Sequence, residues 1–477
     1  MCSANASDAR LLCSSLDCPH HVTRRACAVG SATGRTAFLK KGSIFPLTSG
    51  YPALIAFLLF FATFRLYLPA KSPLAHAEPT QEPEMYDSKA PMQDYAKHIL
   101  FGLCLSIVVV TATAQNGSQS SNAAYVPDKV LLADHGAPWT YTSRPSQLTV
   151  TVNRRDPNPA EQRVIERARL LLESREAKAI ALIDGANIVY LEYKAPATDQ
   201  SLFTSMSIAK TVTSIGIGQA ICATKLKLTD RASDILPDLK DKALGKATVR
   251  DLLMMASGAA NPSDSGSSTL MTSQNWRDWS AGTYDLADLI RDERVAGPAR
   301  GVFSDYKPGE TFVYKQTDPV VLGLMLNSVT AMPYTKWIQE SVFDPMGMAR
   351  QGWIEQNKKQ QALADQGIWL SMEDWVRFAI WVKQASVQKD CLGDYIREAS
   401  RTQIWTDRKG GSYLSGYGYL LWTANVMARD TFWAAGKGGQ RIGWSNNSNR
   451  MIVVFSNRED WMTDLYGLFV DWKNIDR

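Results

Sequence analysis

Residues 207–220 read SIAKTVTSIGIGQA, and this stretch predicts a helix with a reactive group at its start. The apolar residues Ile208, Val212 and Ile215 recur at helical spacing and fall on one face. Two glycines further along permit close packing against a neighbouring element. The Gly-Ile-Gly piece lacks the third glycine of a dinucleotide-binding loop and lies inside a helical pattern, so it indicates helix packing.

Ser207 and Lys210 begin this helix and are the first candidates for chemistry. They are one helical turn apart, so the hydroxyl and the amine share a face. The positive end of the helix dipole beside Ser207 favours negative charge that develops there. Lys210 must be neutral to accept a proton, and burial or a nearby cation would lower its pKa accordingly.

The scarcity of histidine excludes several other mechanisms. Beyond residue 114 the sequence has a single histidine, His135, which fits a surface position, and it has no G-x-S-x-G elbow. A Ser-His-Asp triad, a Cys-His pair and a H-E-x-x-H zinc site each need histidine in the folded domain. A nucleophilic hydrolase built on this chain therefore needs lysine, tyrosine or a carboxylate as its base, without a metal or cofactor.

Composition places the chain among ordinary globular proteins. Its 477 residues are 45% hydrophobic and 21% charged, which allows one large domain or two. The net charge of +5 is small and no long Lys/Arg block occurs, so nucleic acid is not indicated as a partner.

The N-terminal part of the chain predicts an export signal. Residues 92–115 combine a lysine-containing flank, an apolar run and small residues that end Ala112-Thr113-Ala114. A buried helix is the alternative, but the polar NGSQSSN that follows favours cleavage after Ala114. Residues 1–91 are unassigned: translation starting at Met85 or Met92 would leave them out of the mature protein, and a membrane-tethered extension using the apolar run 53–64 is the alternative.

Seven cysteines occur, but only Cys222 and Cys391 fall in the predicted domain of residues 115–477. We expect two buried or free thiols, with a disulfide between them as the less favoured alternative because their spacing is wide.

The mature chain is β-rich at both ends and helical between them. A helix is predicted over residues 161–174, then a hairpin of strands 180–183 and 188–193 around Asp184-Gly185. Residues 226–400 are predicted as mainly helical with long loops. The C-terminal part predicts the strands 416–422, 431–434 and 451–456 and a helix over residues 461–472. The predicted fold is therefore α/β (α+β): an antiparallel sheet built from both ends, flanked by helices, with an inserted mainly helical region.

Two further motifs follow Ser207-Ile208-Ala209-Lys210 in the sequence. The first is Tyr314-Lys315-Gln316, and the second is Gly436-Lys437-Gly438-Gly439-Gln440, which comes after a C-terminal strand. Together the three resemble the serine β-lactamase and penicillin-binding protein superfamily. The likeness is to its class C β-lactamase-like branch, which also holds esterases, D-aminopeptidases and 6-aminohexanoate-dimer hydrolases. It runs from about residue 179 to residue 456. Connecting segments resemble that branch as well: TVRDLLMMASG from residue 248, KPGETFVYKQTDPVVLGLML from 307, FDPMGM from 343 and YGYLLW from 417.

The resemblance implies a role for each matching residue. Ser207 attacks a carbonyl, Lys210 assists its deprotonation and Tyr314 passes a proton to the leaving group. Lys437 matches the first position of the K-T-G element, where it would favour loss of the Tyr314 proton or meet a substrate carboxylate. The backbone N–H groups of Ser207 and Gln440 would form the oxyanion hole.

The chain departs from the family pattern at two positions that would contact substrate. Gln316 stands where the family has Asn or Ser, which shifts the carboxamide by one methylene. Gly438 stands where it has Thr or Ser, so Gly438 and Gly439 would offer only backbone to the substrate. Lys-Gly-Gly resembles the H-G-G variant of esterase-like and amide-hydrolase members, which favours those activities over a dedicated β-lactamase.

Three functional hypotheses follow. The first is a periplasmic or secreted hydrolase of a small-molecule amide or ester, which meets the membrane only through its export signal or an N-terminal anchor. The second is a D,D-peptidase of the penicillin-binding type that acts on cell-wall peptides, with Lys437 as carboxylate anchor. The third is a non-catalytic binding module of the same fold, motivated by Gln316. The sequence gives no indication of the oligomeric state.

Overall fold

The computed structural model of the protein describes residues 139–148, 150–260, 278–279, 281–283, 285–298, 306–406 and 413–475. The predicted export signal, the apolar run 53–64 and His135 lie outside the described residues. Among those residues, no helix combines the length and apolar character needed to cross a membrane.

The strands are β1 Thr140–Ser143, β2 Asn153–Arg154, β3 Ala177–Asp184, β4 Asn187–Tyr193, β5 Leu202–Thr204, β6 Gly352–Glu355, β7 Ile368–Ser371, β8 Ile404–Trp405, β9 Leu414–Tyr417, β10 Trp422–Asn425, β11 Thr431–Gly436, β12 Gln440–Ser445 and β13 Arg450–Ser456.

The α-helices are α1 Pro159–Ser174, α2 Ile208–Cys222, α3 Ala232–Ile235, α4 Val249–Leu253, α5 Leu286–Arg291, α6 Glu293–Ala296, α7 Thr317–Thr330, α8 Tyr334–Ile338, α9 Met372–Ser386, α10 Cys391–Ala399 and α11 Met462–Lys473. A π-helical turn, Gln339–Phe343, continues α8, and short 3-10 turns occur at Pro237–Leu239 and Leu244–Lys246.

A nine-stranded sheet joins the two ends of the domain, as the sequence predicts. Its order is β2-β4-β3-β13-β12-β11-β10-β9-β8. The N-terminal strand β3 pairs antiparallel with the C-terminal strand β13 along nearly its whole length, from Asp184↔Arg450 to Ala177↔Ser456. Neighbouring strands are antiparallel except β2 and β4, whose two-residue contact is parallel.

Helices cover both faces of this sheet because the side chains of successive strand residues point to opposite faces. Phe432 stacks on Trp444, 5.1 Å between ring centres, and Trp444 contacts Phe378 of α9. The next residue, Trp433, faces the other way and meets Phe469 of α11, also at 5.1 Å. Helix α2 packs on the sheet at β11 and β12.

Residues 226–400 are mainly helical, as predicted, but they also contribute two strands to a second sheet that the sequence did not predict. The four strands β1-β6-β7-β5 form it, and two of them, β6 and β7, lie within that region. Each of these two strands has only four residues, and β7, of sequence IWLS, is buried on both sides. A strand so short and so uniformly buried shows no period-two alternation, which is the pattern that identifies strands in a sequence.

The C-terminal strands differ from the prediction in two places. The segment 416–422 is not one strand: the chain reverses between β9 and β10, with Leu420 in the left-handed region at φ 56°. Strand β12, of sequence QRIGWS, was not predicted, because Gln, Arg and Gly interrupt its apolar residues.

Cys222 and Cys391 form a disulfide, which corrects the expectation of free thiols. The bond joins the end of α2 to the start of α10, across 169 residues of sequence. The fold brings these two helix ends together, which the separation in sequence does not show.

Candidate active site

Ser207 lies at the junction between β5 and α2, where it is the N-cap of the helix. The residue before it, Met206, is in the left-handed region at φ 43°, which is strained for a residue with a side chain. Ser205 fixes this junction to β7: its N–H donates to the carbonyl of Ile368 at 2.7 Å, and its hydroxyl accepts from the Ile368 N–H at 3.1 Å. Ser207 itself is half-buried, so its hydroxyl can be reached from solvent.

Lys210 lies one turn further along α2 and is only 2% exposed. Its Nζ donates to Ser207 Oγ at 3.1 Å, which is the proximity that the i, i+3 spacing predicts. The same ammonium donates to the backbone carbonyl of Asp365 at 3.1 Å and pairs with its carboxylate Oδ2 at 3.2 Å. Lys210 therefore links the candidate nucleophile to a buried acid.

The pKa of Lys210 is raised, whereas a lysine that acts as the base was expected to have a lowered pKa. Burial by itself lowers the pKa, but Tyr314 and the Asp365 carboxylate outweigh burial and hold the pKa of Lys210 above its usual value. In the resting site Lys210 is therefore an ammonium, and it is a hydrogen-bond donor to Ser207.

Asp365 is a site residue that sequence analysis missed. It is 1% exposed, and its Oδ2 also accepts from Gln316 Nε2 at 2.9 Å. Thr213 of α2 donates to the carbonyl of the preceding residue, Ala364, at 2.5 Å, which fixes the segment against the helix. Asp365 lies in a loop before β7 and belongs to no motif, so its only signal in the sequence is a lone acid near a glycine.

Tyr314 lies beside Lys210, whose Nζ is 5.3 Å from the centre of its ring. Three further rings surround Tyr314: Trp422 stacks on it at 5.4 Å, and Tyr417 and Phe312 contact it at 6.2 and 6.4 Å. Tyr417 and Trp422 come from the two sides of the β9–β10 reversal. The YGYLLW segment thus forms the wall that holds Tyr314, a role that its interpretation as one strand did not suggest.

A buried ion pair anchors the segment that carries Tyr314. Lys315 Nζ lies 3.2 Å from Asp318 Oδ2, and both side chains are at most 1% exposed. The other carboxylate oxygen of Asp318 accepts from the Ser257 hydroxyl at 2.7 Å. The N–H of Val313 donates to the Met255 carbonyl at 2.9 Å. These bonds attach the Tyr314 segment to the residues that follow α4.

Gln316 contacts the polar group around Lys210. Its amide nitrogen donates to Asp365, and within the described part of the chain its Oε1 and Asp365 Oδ1 are buried without a hydrogen-bond partner. The unpaired oxygen of Gln316 is therefore left for a ligand or water.

Residues 436–440 form the turn between β11 and β12, with Gly438 and Gly439 in the left-handed region at φ 83° and 91°. The turn lies beside the nucleophile: a Cβ on Gly436 would approach the Ser205 carbonyl to 2.6 Å and Met206 Cβ to 3.0 Å. The fold therefore brings the Gln440 backbone to the Ser207 side of the sheet. The Lys437 side chain is exposed, and across the described ranges no hydrogen bond or ion pair joins it to Tyr314.

This arrangement defines a class of site: a half-buried serine at a helix start, with a buried lysine and a tyrosine beside it and no histidine among the described residues. In the part of the chain that the structure describes, no cluster of His, Cys, Asp and Glu could hold a metal ion. The model of the Beta-lactamase family matches residues 172–469. The chain belongs to this family of serine hydrolases.

Individual relatives are distant. Protein flp of Staphylococcus aureus (strain NCTC 8325 / PS 47) is 28% identical over 174 residues, which are 36% of this chain and 32% of that protein. The chain thus spans about a third of the length of the curated relatives it matches first.

Two solved structures share the fold. A provisional 6-aminohexanoate-dimer hydrolase from Bacillus anthracis has a TM-score of 0.56 at 16% identity, covering 70% of this chain and 90% of that one. EstCE1, a hydrolase with promiscuous acyltransferase activity, has a TM-score of 0.52 at 15% identity, covering 66% and 98%. These likenesses confirm the predicted fold class.

Proposed function

We propose that the protein cleaves an amide or ester bond of a small molecule through an acyl-enzyme on Ser207. The observation that carries this proposal is the 3.1 Å hydrogen bond from the buried Lys210 ammonium to the half-buried Ser207 hydroxyl. Tyr314 lies beside Lys210, with its ring centre 5.3 Å from Nζ. Family membership supports hydrolysis as the reaction class.

The two half-reactions use these groups in turn. Ser207 Oγ attacks the substrate carbonyl carbon as its proton passes to the phenolate oxygen of Tyr314, and the Lys210 ammonium stabilises the negative charge that develops on Ser207 Oγ. The resulting oxyanion accepts hydrogen bonds from the N–H groups of Ser207 and Gln440. The carbonyl re-forms, the bond to the leaving group breaks, and Tyr314 returns the proton to that group. Water then adds to the acyl-enzyme, and the carboxylic acid and free Ser207 are released.

Tyr314 is the better proton acceptor in this scheme because Lys210 already carries a proton at rest. An ammonium cannot act as a base, but it can donate to Ser207 Oγ throughout the attack. Asp365 then has the role of keeping Lys210 charged and directed at Ser207.

Labelling with a fluorophosphonate tests the nucleophile. The Ser207 oxygen would displace fluoride, and intact mass would show one phosphonyl adduct on the wild type and none on Ser207→Ala. Hydrolysis of p-nitrophenyl acetate, nitrocefin and a D-Ala-D-Ala peptide, measured on the same samples, separates esterase, β-lactamase and D,D-peptidase activity. An unlabelled wild type that hydrolyses none of the three would contradict the proposal and leave the non-catalytic binding module.

We further propose that residues 115–477 are an exported domain, released by cleavage after Ala114. The Cys222–Cys391 disulfide supports this proposal because disulfides persist in oxidising compartments such as the periplasm. N-terminal sequencing of the mature protein from its native host should begin at Gln115. A mature N-terminus within residues 1–91 would contradict both the signal and the domain boundary.

A further inference from the structure

Arg441 is a buried cation directly behind the turn formed by residues 436–440. It follows Gln440 on β12 and is 7% exposed. Its Nη1 donates to the carbonyls of Gly436 at 2.7 Å and Gln440 at 2.8 Å, which are the first and last residues of the turn. Its Nε donates to the Tyr466 hydroxyl at 3.3 Å, and Glu459 lies 3.7 Å from its Nη2.

The side chain of Gln440 holds the same turn from within. It is fully buried, and its Nε2 donates to the carbonyls of Lys437 at 3.0 Å and Ser456 at 2.8 Å. Its Oε1 accepts from the Ser456 N–H at 3.0 Å. Side chains thus hold the carbonyls of Gly436, Lys437 and Gln440 in this five-residue turn. The peptide group between Gly439 and Gln440, which carries the Gln440 N–H, lies between these held carbonyls and has little freedom.

Arg441 stays positively charged in this buried place. Burial lowers its pKa, but Tyr466 and Glu459 outweigh burial and hold the pKa of Arg441 above its usual value.

We propose that Arg441 is a positioning residue for acylation: it fixes the turn so that the Gln440 N–H meets the oxyanion. This inference rests on the proposed hydrolase function. The bonds to both ends of the turn explain why a guanidinium, with its fork of donors, suits this position.

The rate of fluorophosphonate labelling and the separate values of kcat and KM for a p-nitrophenyl ester test the proposal. Arg441→Met should lower the labelling rate and kcat by roughly tenfold or more, since loss of an oxyanion-hole donor has effects of that order or larger. KM should change little, because the oxyanion forms only on the way to the transition state. Arg441→Lys, which keeps the charge but not the fork of donors, should leave both rates low.

Arg450→Met is the matched control, since Arg450 is a buried arginine of the same sheet that pairs with Glu161 at 2.7 Å. It should lower Tm while the labelling rate and kcat stay at wild-type values. A wild-type labelling rate and kcat in Arg441→Met would overturn the proposal, as would wild-type rates in Arg441→Lys if Arg441→Met does not fold. Failure of the hydrolase proposal is distinct, because then the wild type itself is not labelled at Ser207.

Discussion

Asp365 decides the charge of the residue expected to be the base. A lysine as buried as Lys210, 2% exposed, would lose its proton readily if it stood alone. The Asp365 carboxylate at 3.2 Å and the nearby Tyr314 reverse that tendency, and the pKa of Lys210 is raised. The S-x-x-K pattern therefore describes the position of the lysine but not its protonation state.

Asp365→Asn should reveal that state, because asparagine has nearly the same shape and can still accept from Lys210 and Gln316. Without the negative charge the pKa of Lys210 falls, and we expect the alkaline limb of kcat/KM to move down by about one to three pH units. The measurement is ester hydrolysis across pH. Asp374→Asn is the control, since Asp374 is a fully buried acid whose amide and hydroxyl partners lie away from Lys210.

The opposite result is equally informative about mechanism. If Asp365→Asn instead moves the acidic limb down and raises the rate at neutral pH, Lys210 works as a neutral base, and the role of Tyr314 as proton acceptor is wrong.

For individual residues, the sequence could predict contacts within one helix but few contacts between separate segments. The contact between Ser207 and Lys210 follows from one helical turn, whereas Asp365 reaches Lys210 across 155 residues. Gln316 was identified by its place in a motif, but its partner was not. Spacing cannot indicate such a contact, because it depends on how separate segments pack.

Between elements, the position of the β11–β12 turn depends on a close backbone approach. Gly436 ends β11 where a Cβ would meet the Ser205 carbonyl at 2.6 Å, a distance that real Cβ atoms do not adopt. A backbone carbonyl next to Ser207 cannot move aside as a flexible side chain can. Glycine at position 436 thus allows the β11–β12 turn to lie against the backbone that precedes Ser207.

Gly436→Ala should separate the turn from Ser207 and lower kcat/KM for an ester by roughly tenfold or more, since small misplacements in active sites have large effects on rate. The overpacking should also destabilise the fold by about 1 to 3 kcal/mol. Gly185→Ala, in the β3–β4 turn at φ 59° with open space around it, is the control. It should cost about 1 kcal/mol of stability by denaturant unfolding without a change in kcat/KM. Equal activity losses in both variants would show that the close approach at Gly436 has no special role.

The rings of Tyr417 and Trp422 beside Tyr314 show why the boundaries of strands were harder to predict than their existence. The segment 416–422 is apolar and aromatic throughout, so it was interpreted as one strand. Gly418 makes the reversal possible, since a Cβ there would lie 1.9 Å from the Ala399 carbonyl. Nothing within the segment signals that neighbour, which comes from α10. Tyr417 and Trp422 consequently end up opposite each other across the ladder and beside Tyr314.

Over the whole molecule, the sequence predicted the architecture where strands are long and missed it where they are short. β3 and β13 are long strands of eight and seven residues, and β13 is rich in β-branched residues, so a sheet built from both ends could be inferred. The four-stranded sheet combines short strands from distant segments, and no periodicity identifies it. The disulfide depends likewise on two helix ends meeting, which is a property of the complete fold.

Glu161 connects the first helix of the domain to that central sheet and should control acid stability. It is fully buried at the start of α1, where it completes a capping box with Asn158. It also pairs at 2.7 Å with Arg155 and with Arg450 of β13. The Arg155 hydrogen bond is the largest of the effects that lower the pKa of Glu161 from 4.5 to about 2.

Because the folded pKa lies below the unfolded one, Glu161 contributes stability that is fully present above pH 4.5 and is lost as the pH falls from there toward about 2. Denaturant unfolding of the wild type should therefore show a midpoint that drops across this window. Glu161→Gln should flatten the drop and destabilise the protein at neutral pH by about 3 kcal/mol, since it removes the negative charge that pairs with the buried Arg450. Ester hydrolysis at neutral pH should be unchanged below the unfolding transition, because this cluster lies away from Ser207. A Glu161→Gln midpoint that keeps the full wild-type drop between pH 4.5 and 2 would assign acid sensitivity to other carboxylates.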